Sequence, residues 1–190
     1  MWNAAGMVAW TSHRPSYEEA LRQSRVLDRL AGFDPHVVGT LPLGIAVSGS
    51  DIDIVCHAPD ASRFAEALWT HFREAAGFGV WQWCGARHPV VTRFEAQGWP
   101  FEIFGAPEPV ADQAGWRHFA VERRLLALGG DSFRAALLEL RAEGLKTEPA
   151  FAAALNLPDD PYAAMLALHG CSDSVLVKLL APYDESSDPA

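Results

Sequence analysis

The chain has 190 residues, of which 49% are hydrophobic and 21% charged, and 24 Asp and Glu outweigh 15 Lys and Arg for a formal net charge of −9. This describes one ordinary globular domain, or one domain with a helical appendage, with enough apolar residues for a sizeable core. It argues against a nucleic-acid partner, which would be held by Lys and Arg displacing counterions, and no apolar run approaches the ~18 residues of a membrane span.

Ser16 to about Leu30 reads as a helix, capped by Ser16, with Glu18 and Glu19 in its first turn and Leu21, Val26, Leu27 and Leu30 as its buried stripe. Gly32-Phe33-Asp34-Pro35 ends it, because the residue before a proline resists helix. A strand follows at 36–38, a loop at 39–49 and a second strand at 51–57. The next helix runs from Asp60 or Ser62 to about Ala76, with Phe64, Leu68 and Phe72 four apart. Strands are predicted at 79–85, 90–94 and 100–104, the last two joined through Gly98 as a hairpin. The remainder is helical, at about 110–128, 132–143, 148–156, 160–169 and 172–181, with Thr147 as the expected cap of the third of these. Strands first and helices later imply an α+β fold, a mixed sheet with helices packed on one side and a helical C-terminal half. The expected division is a core at 1–108, a helical part at 109–182 and a disordered acidic tail at 183–190.

Cys56, Cys84 and Cys171 are odd in number and lack CxxC spacing, so they read as reduced thiols, neither a disulfide framework nor a zinc site. The first ten residues lack the basic start of a signal peptide, and a cytoplasmic location is expected.

The chemistry concentrates in Val38-Gly39-Thr40 and, ten residues on, Asp51-Ile52-Asp53-Ile54-Val55. Positions i and i+2 of a strand share a face, so Asp51 and Asp53 project side by side, about 6–7 Å apart at their Cα atoms. Such a pair repels unless a cation or a shared proton neutralises it. Glu102, in Phe101-Glu102-Ile103-Phe104, is a third acid in a strand-like run. Three carboxylates of this kind suit one or two hard divalent ions that take oxygen ligands and clamp a polyphosphate.

These residues resemble the signature of the nucleotidyltransferase superfamily related to DNA polymerase beta: an apolar residue, Gly, a small hydroxyl or Gly, a spacer, and an acid-apolar-acid strand with a later third acid. Thr40 stands where Ser is usual and retains the hydroxyl. More narrowly, 38–45, 50–54, 101–105 and Gly144-Leu145-Lys146-Thr147-Glu148-Pro149-Ala150-Phe151 resemble the DUF4269 family. The resemblance implies a nucleotidyltransferase-like α+β fold and transfer of a nucleoside monophosphate from a nucleoside triphosphate to an unknown small-molecule or protein acceptor. It implies Mg²⁺ or Mn²⁺ on Asp51, Asp53 and Glu102, the last as ligand or as base, with Gly39, Thr40 and Ser50 at the phosphates. The alternatives are an inactive nucleotide-binding or interaction module on the same fold, or a phosphohydrolase using the same acids.

The segment 41–50 contains no Lys or Arg and is unusually apolar, so phosphate charge must be met from elsewhere; Arg93 and Lys146 are the candidates. Glu95 competes with Glu102 for the third acid but sits beside Gln97 and Gly98, as a turn residue would. His118 and Glu122, four apart on one helix, can touch, either as an acceptor-side pair or as part of a core stripe. Trp69, Trp81, Trp83, Trp99 and Trp116 read as core or rim before base-stacking platforms.

Overall fold

The computed structural model describes residues 14–84 and 87–184. Of the tail expected to be disordered at 183–190, residues 185–190 lie outside the described residues, whereas Tyr183 ends a short 3-10 turn and donates its hydroxyl to the Ala154 carbonyl at 2.8 Å, against that expectation. The first helix is α1 (Tyr17–Ser24), capped by the Ser16 hydroxyl accepting from the Glu19 N–H at 3.2 Å. It breaks at Arg25, which takes a left-handed conformation, and resumes as the short α2 (Val26–Arg29), so the single predicted helix is two. Strand β1 (His36–Val38) leads into α3 (Thr40–Leu43), a four-residue helix inside what was expected to be an irregular loop. Then come β2 (Ile52–His57) and α4 (Ala61–Phe72), with Asp60 as the capping acceptor. Three strands follow: β3 (Ala76–Gln82), β4 (Val90–Ala96) and β5 (Trp99–Ala106). Strand β3 starts three residues earlier than predicted. Gln97 and Gly98 both have positive φ between β4 and β5, which matches the twist of a tight hairpin.

The C-terminal half comprises α5 (Ala114–Ala142), α6 (Thr147–Ala154), α7 (Pro161–Leu168) and α8 (Asp173–Leu179). Helix α5 bends at Gly130, whose φ of 62° and ψ of −156° are non-helical, between the two helices the sequence predicts. The residue before α6 is Lys146; Thr147 is already helical and makes no capping bond, contrary to expectation.

The five strands form one mixed sheet in the order β1-β2-β5-β4-β3, with β2 and β5 parallel and the other neighbours antiparallel. Helices cover both faces, not one. Ile52, Ile54 and Cys56 of β2 point with Phe101 and Ile103 of β5 into a core shared with Phe64 and Leu68 of α4 and Val26 of α2. Val55 points the other way, into a core built mainly by α5 to α8, around Phe119, Leu125, Phe133 and Phe151. A strand buried on both faces reads as a nearly continuous apolar run, which is how 52–56 reads apart from Asp53. Among the described residues no helix is long and apolar enough to cross a membrane.

Candidate active site

Side chains directly paired across a sheet share a face, and the register sets out a row: Val38, Asp53, Glu102 and Arg93 on β1, β2, β5 and β4. Two residues further along β2 and β5, Val55 and Phe104 pack into or against the core under α5. The acids therefore stand on the face toward the C-terminal helices, where that packing gives way to a cleft of about 750 Å³. Asp51, just ahead of β2, lines the same cleft with Asp53 and Glu102.

Gly39 carries the turn beside them. Its φ of 78° and ψ of −164° belong to a region open essentially to glycine alone, and a β-carbon there would overlap the Asp53 carboxylate. The glycine thus lets backbone and carboxylate lie against one another. Thr40, 8% exposed, donates from its hydroxyl to Ser50 at 3.3 Å, and Ser50 also accepts from the Val47 N–H at 3.0 Å. Both hydroxyls line the cleft and pin the turn at 47–50.

The apolar character of 41–50 has a packing cause. Leu43 and Ile45 are buried in the core beneath α5, and Arg134 of α5 donates to the Leu43 carbonyl at 2.6 Å. Leu43 and Ile45 thus fasten the segment to the helical half, while its exposed residues Ser48 and Gly49 line the cleft without charge. Lys146 lines the cleft from the start of α6. Arg93 does not line it. Its guanidinium pairs with Glu102, is largely exposed and lies over the Trp81 ring. Glu95 is exposed near the β4 end, leaving Glu102 as the acid of the row.

The helical wall contributes residues that sequence reasoning missed, Arg141, Glu148 and Tyr162, while Trp83, read from the sequence as core or rim, also lines the cleft. Glu148 lies within the quoted phrase that contains Lys146, and Arg141 lies just ahead of it, so that phrase was a usable signal; Tyr162 had none. His118 does not pair with Glu122. Its Nε2 donates to the Tyr162 carbonyl at 3.0 Å and its Nδ1 meets Glu148 at 3.3 Å. The bond to Glu148 raises the His118 pKa against the effect of burial. Burial raises Glu148, but His118, its own backbone N–H and Arg141 outweigh that and leave it lowered.

Burial, then the charges of Asp51 and Glu102, push Asp53 up to about 8, with Arg93 opposing. A carboxyl so placed ionises readily only when a positive charge stands close enough to stabilise the carboxylate. The all-oxygen donor chemistry and this crowding fit a hard divalent cation on Asp51 and Asp53. Among the described residues no three His, Cys, Asp or Glu side chains stand as a ready ligand group, and the pairing of Glu102 with Arg93 is consistent with that.

Solved structures share this fold. A mutant of Cid1 poly(U) polymerase bound to MgATP superposes with a TM-score of 0.51 at 14% identity, over 74% of this chain and 47% of that one. The MgGTP-bound Cid1 poly(U) polymerase gives 0.51 at 16% identity over the same shares. The GLD-2/RNP-8 complex gives 0.50 at 12% identity, over 91% of this chain and 68% of that one. The chain spans about half the length of the Cid1 structures, and at these identities the likeness is one of fold. No curated protein matches the sequence. The DUF4269 profile, that of a domain of unknown function, matches residues 19–168, and the chain therefore belongs to the DUF4269 family.

Proposed function

We propose that the chain is a metal-dependent nucleotidyltransferase that moves a nucleoside monophosphate from a nucleoside triphosphate to an acceptor. The observation that carries this reading is the row of Asp53 and Glu102 on adjacent parallel strands, with Asp51 beside them and the Gly39 turn against Asp53. Asp51 and Asp53 would hold Mg²⁺ or Mn²⁺, with Glu102 as a further ligand or as the base. The bound cation would neutralise phosphate oxygens. The Gly39-Thr40 backbone, Ser50 and Lys146 would position the triphosphate. Arg93 acts in this reading by holding Glu102, not by touching nucleotide. An acceptor hydroxyl oxygen bonds the α-phosphorus, the α–β phosphoanhydride bond breaks, pyrophosphate leaves, and the hydroxyl proton passes to a carboxylate. Positioning and charge neutralisation supply most of the rate in such transfers, so few further catalytic groups are needed.

The acceptor is proposed as a small molecule or a protein, because the net charge of −9 disfavours the phosphate backbone of nucleic acid. The name poly(U) polymerase borne by Cid1 makes an RNA end the acceptor to test beside these. A second reading, a nucleotide-binding module without catalysis, is favoured by the engagement of Glu102 with Arg93. Calorimetric titration of ATP, GTP, CTP and UTP with and without Mg²⁺ separates the possibilities. Metal-dependent binding lost by at least tenfold in Asp53→Ala is expected, with pyrophosphate released once an acceptor is present. Binding without pyrophosphate release in the presence of any acceptor supports the module, nucleotide binding indifferent to metal and to Asp53→Ala refutes the metal-dependent transferase, and no nucleotide binding refutes both.

A further inference from the structure

Across the cleft from the acids, the helical wall holds two polar groups that the fold leaves unsatisfied. Glu122 is 3% exposed and lines the cleft, and its Oε1 is buried without a hydrogen-bond partner. Arg141, from the far end of the same helix, lines the cleft too, and its Nε is likewise buried and unpartnered while Nη1 is spent on the Leu145 carbonyl at 2.8 Å. Only one other side-chain atom among the described residues shares that condition, Gln113 Oε1, on a side chain already tied by its Nε2 to the Cys56 and Glu108 carbonyls, both at 2.9 Å. The neighbours of Glu122 offer no relief, since His118 is committed to Glu148 and Tyr162.

Buried polar groups are nearly always bonded, and leaving one unmade carries the full cost of its lost hydration. Two such groups on one cleft wall, one able to accept and one able to donate, are the complement of a ligand edge that offers both. We infer that Glu122 and Arg141 form a second polar subsite, separate from the acids of the sheet, that takes an uncharged planar group with adjacent N–H and C=O, as in an amide or a nucleobase edge. The inference rests on reading the cleft as the nucleotide and acceptor site, and names part of what is recognised there. Burial, with Glu148 adding to it, pushes the Glu122 carboxyl up to about 8 although His118 and Arg141 oppose this. A carboxyl held uncharged at neutral pH suits a neutral partner over a cationic amine, and a protonated carboxyl both donates and accepts, as an amide does. The edge can come from the base of the nucleotide or from the acceptor.

The test titrates the four nucleosides, free of phosphate and metal, and the small amide-edged rings hydantoin and 2-pyridone, against the native chain, Glu122→Gln, Glu122→Met and Asp53→Ala. Glutamine preserves a donor and an acceptor, whereas methionine preserves only volume. Binding of at least one nucleoside that persists in Glu122→Gln and falls at least tenfold in Glu122→Met supports the subsite with the base as its occupant. Binding of a ring probe with the same variant pattern, undisturbed by Mg²⁺ and nucleoside triphosphate, supports it with the acceptor as occupant. Arg141→Lys, which keeps the charge and removes Nε, is expected to lose binding as methionine does and carries the test if Glu122→Met fails to fold. No binding by any probe, or equal binding to the native chain and Glu122→Met, overturns the inference. Asp53→Ala is expected to keep probe binding, so a failure at the sheet and a failure at this wall are read separately.

Discussion

Asp53 concentrates the electrostatic cost of the site. It faces Asp51 and Glu102 from a largely buried position, and its carboxyl is pushed from the ordinary 3.8 to about 8. A carboxyl raised on folding keeps its proton in the native state while the unfolded chain has already lost it. Stability is then full below about pH 4 and is lost as pH rises toward 8. Asp53→Asn removes the charge and with it the loss. In metal-free protein the variant is expected to match the native chain closely near pH 4 and to exceed it by on the order of 5 kcal/mol at pH 8, in urea unfolding. Millimolar Mn²⁺ at pH 8 should stabilise the native chain and leave Asp53→Asn unmoved, since only a ligand that prefers the folded state shifts the midpoint. Matching midpoints at pH 8 without metal would contradict the crowding of the acids. This residue was legible in advance because strand alternation is a local rule, and the rule sets Asp53 beside Asp51 without further information; that Glu102 stands next to it follows from the β2–β5 register. The pairing of Glu102 with Arg93 was not, because it depends on the register between β4 and β5.

Helix α5 shows what element-scale physics adds. The sequence reading ended one helix at about 128 and began the next at about 132, and Gly129 and Gly130 lie between them. What the pattern could not convey is that the chain keeps helical pairing on both sides and turns only at Gly130. The two glycines serve different ends. A β-carbon on Gly130 meets nothing within 4 Å, so its requirement is conformational, whereas one on Gly129 would crowd Phe133 at 2.7 Å and Leu180 at 2.9 Å. Gly130→Ala is expected to cost roughly 1–3 kcal/mol through backbone strain alone. Gly129→Ala should cost about as much by overpacking, and in that variant alone the loss should shrink when Leu180→Ala makes room. Double-mutant cycles in urea decide it, and identical coupling for both glycines would sink the distinction. The short α3 escaped the sequence for a related reason: four residues carry too little period to register, and Leu43 and Ile45 owe their apolar character to α5, ninety residues away.

At the scale of the molecule, the cleft exists because two cores share one sheet. The core under α5 to α8 reaches Val38, Leu43 and Val55 but ends where the acids begin, and the opening is spanned on its helical side by His118 bridging to Glu148 on α6 and Tyr162 on α7. Sequence alone set His118 against Glu122, four residues along the helix, because local spacing is visible and the approach of α6 is not. The bridge has a defined pH window. His118, raised on folding, stabilises below its ordinary 6.5 and loses that contribution as pH climbs through its folded value. Glu148, lowered on folding, stabilises above 4.5 and loses its contribution as pH falls through its folded value. Both halves are charged together between those limits, where a charge-assisted bond is worth roughly 1.5–3 kcal/mol. His118→Ala should therefore cost most stability at about pH 5–6.5 and progressively less on either side, above a constant offset from lost packing. Amide exchange should show the weakening at the start of α6 and α7 and leave the sheet strands unaffected, since Asp53 and Glu102 are held by the β2–β5 register. A cost that stays flat from pH 4 to 9 would mean that the bridge is packing alone, and that the helical wall of the cleft stands without it.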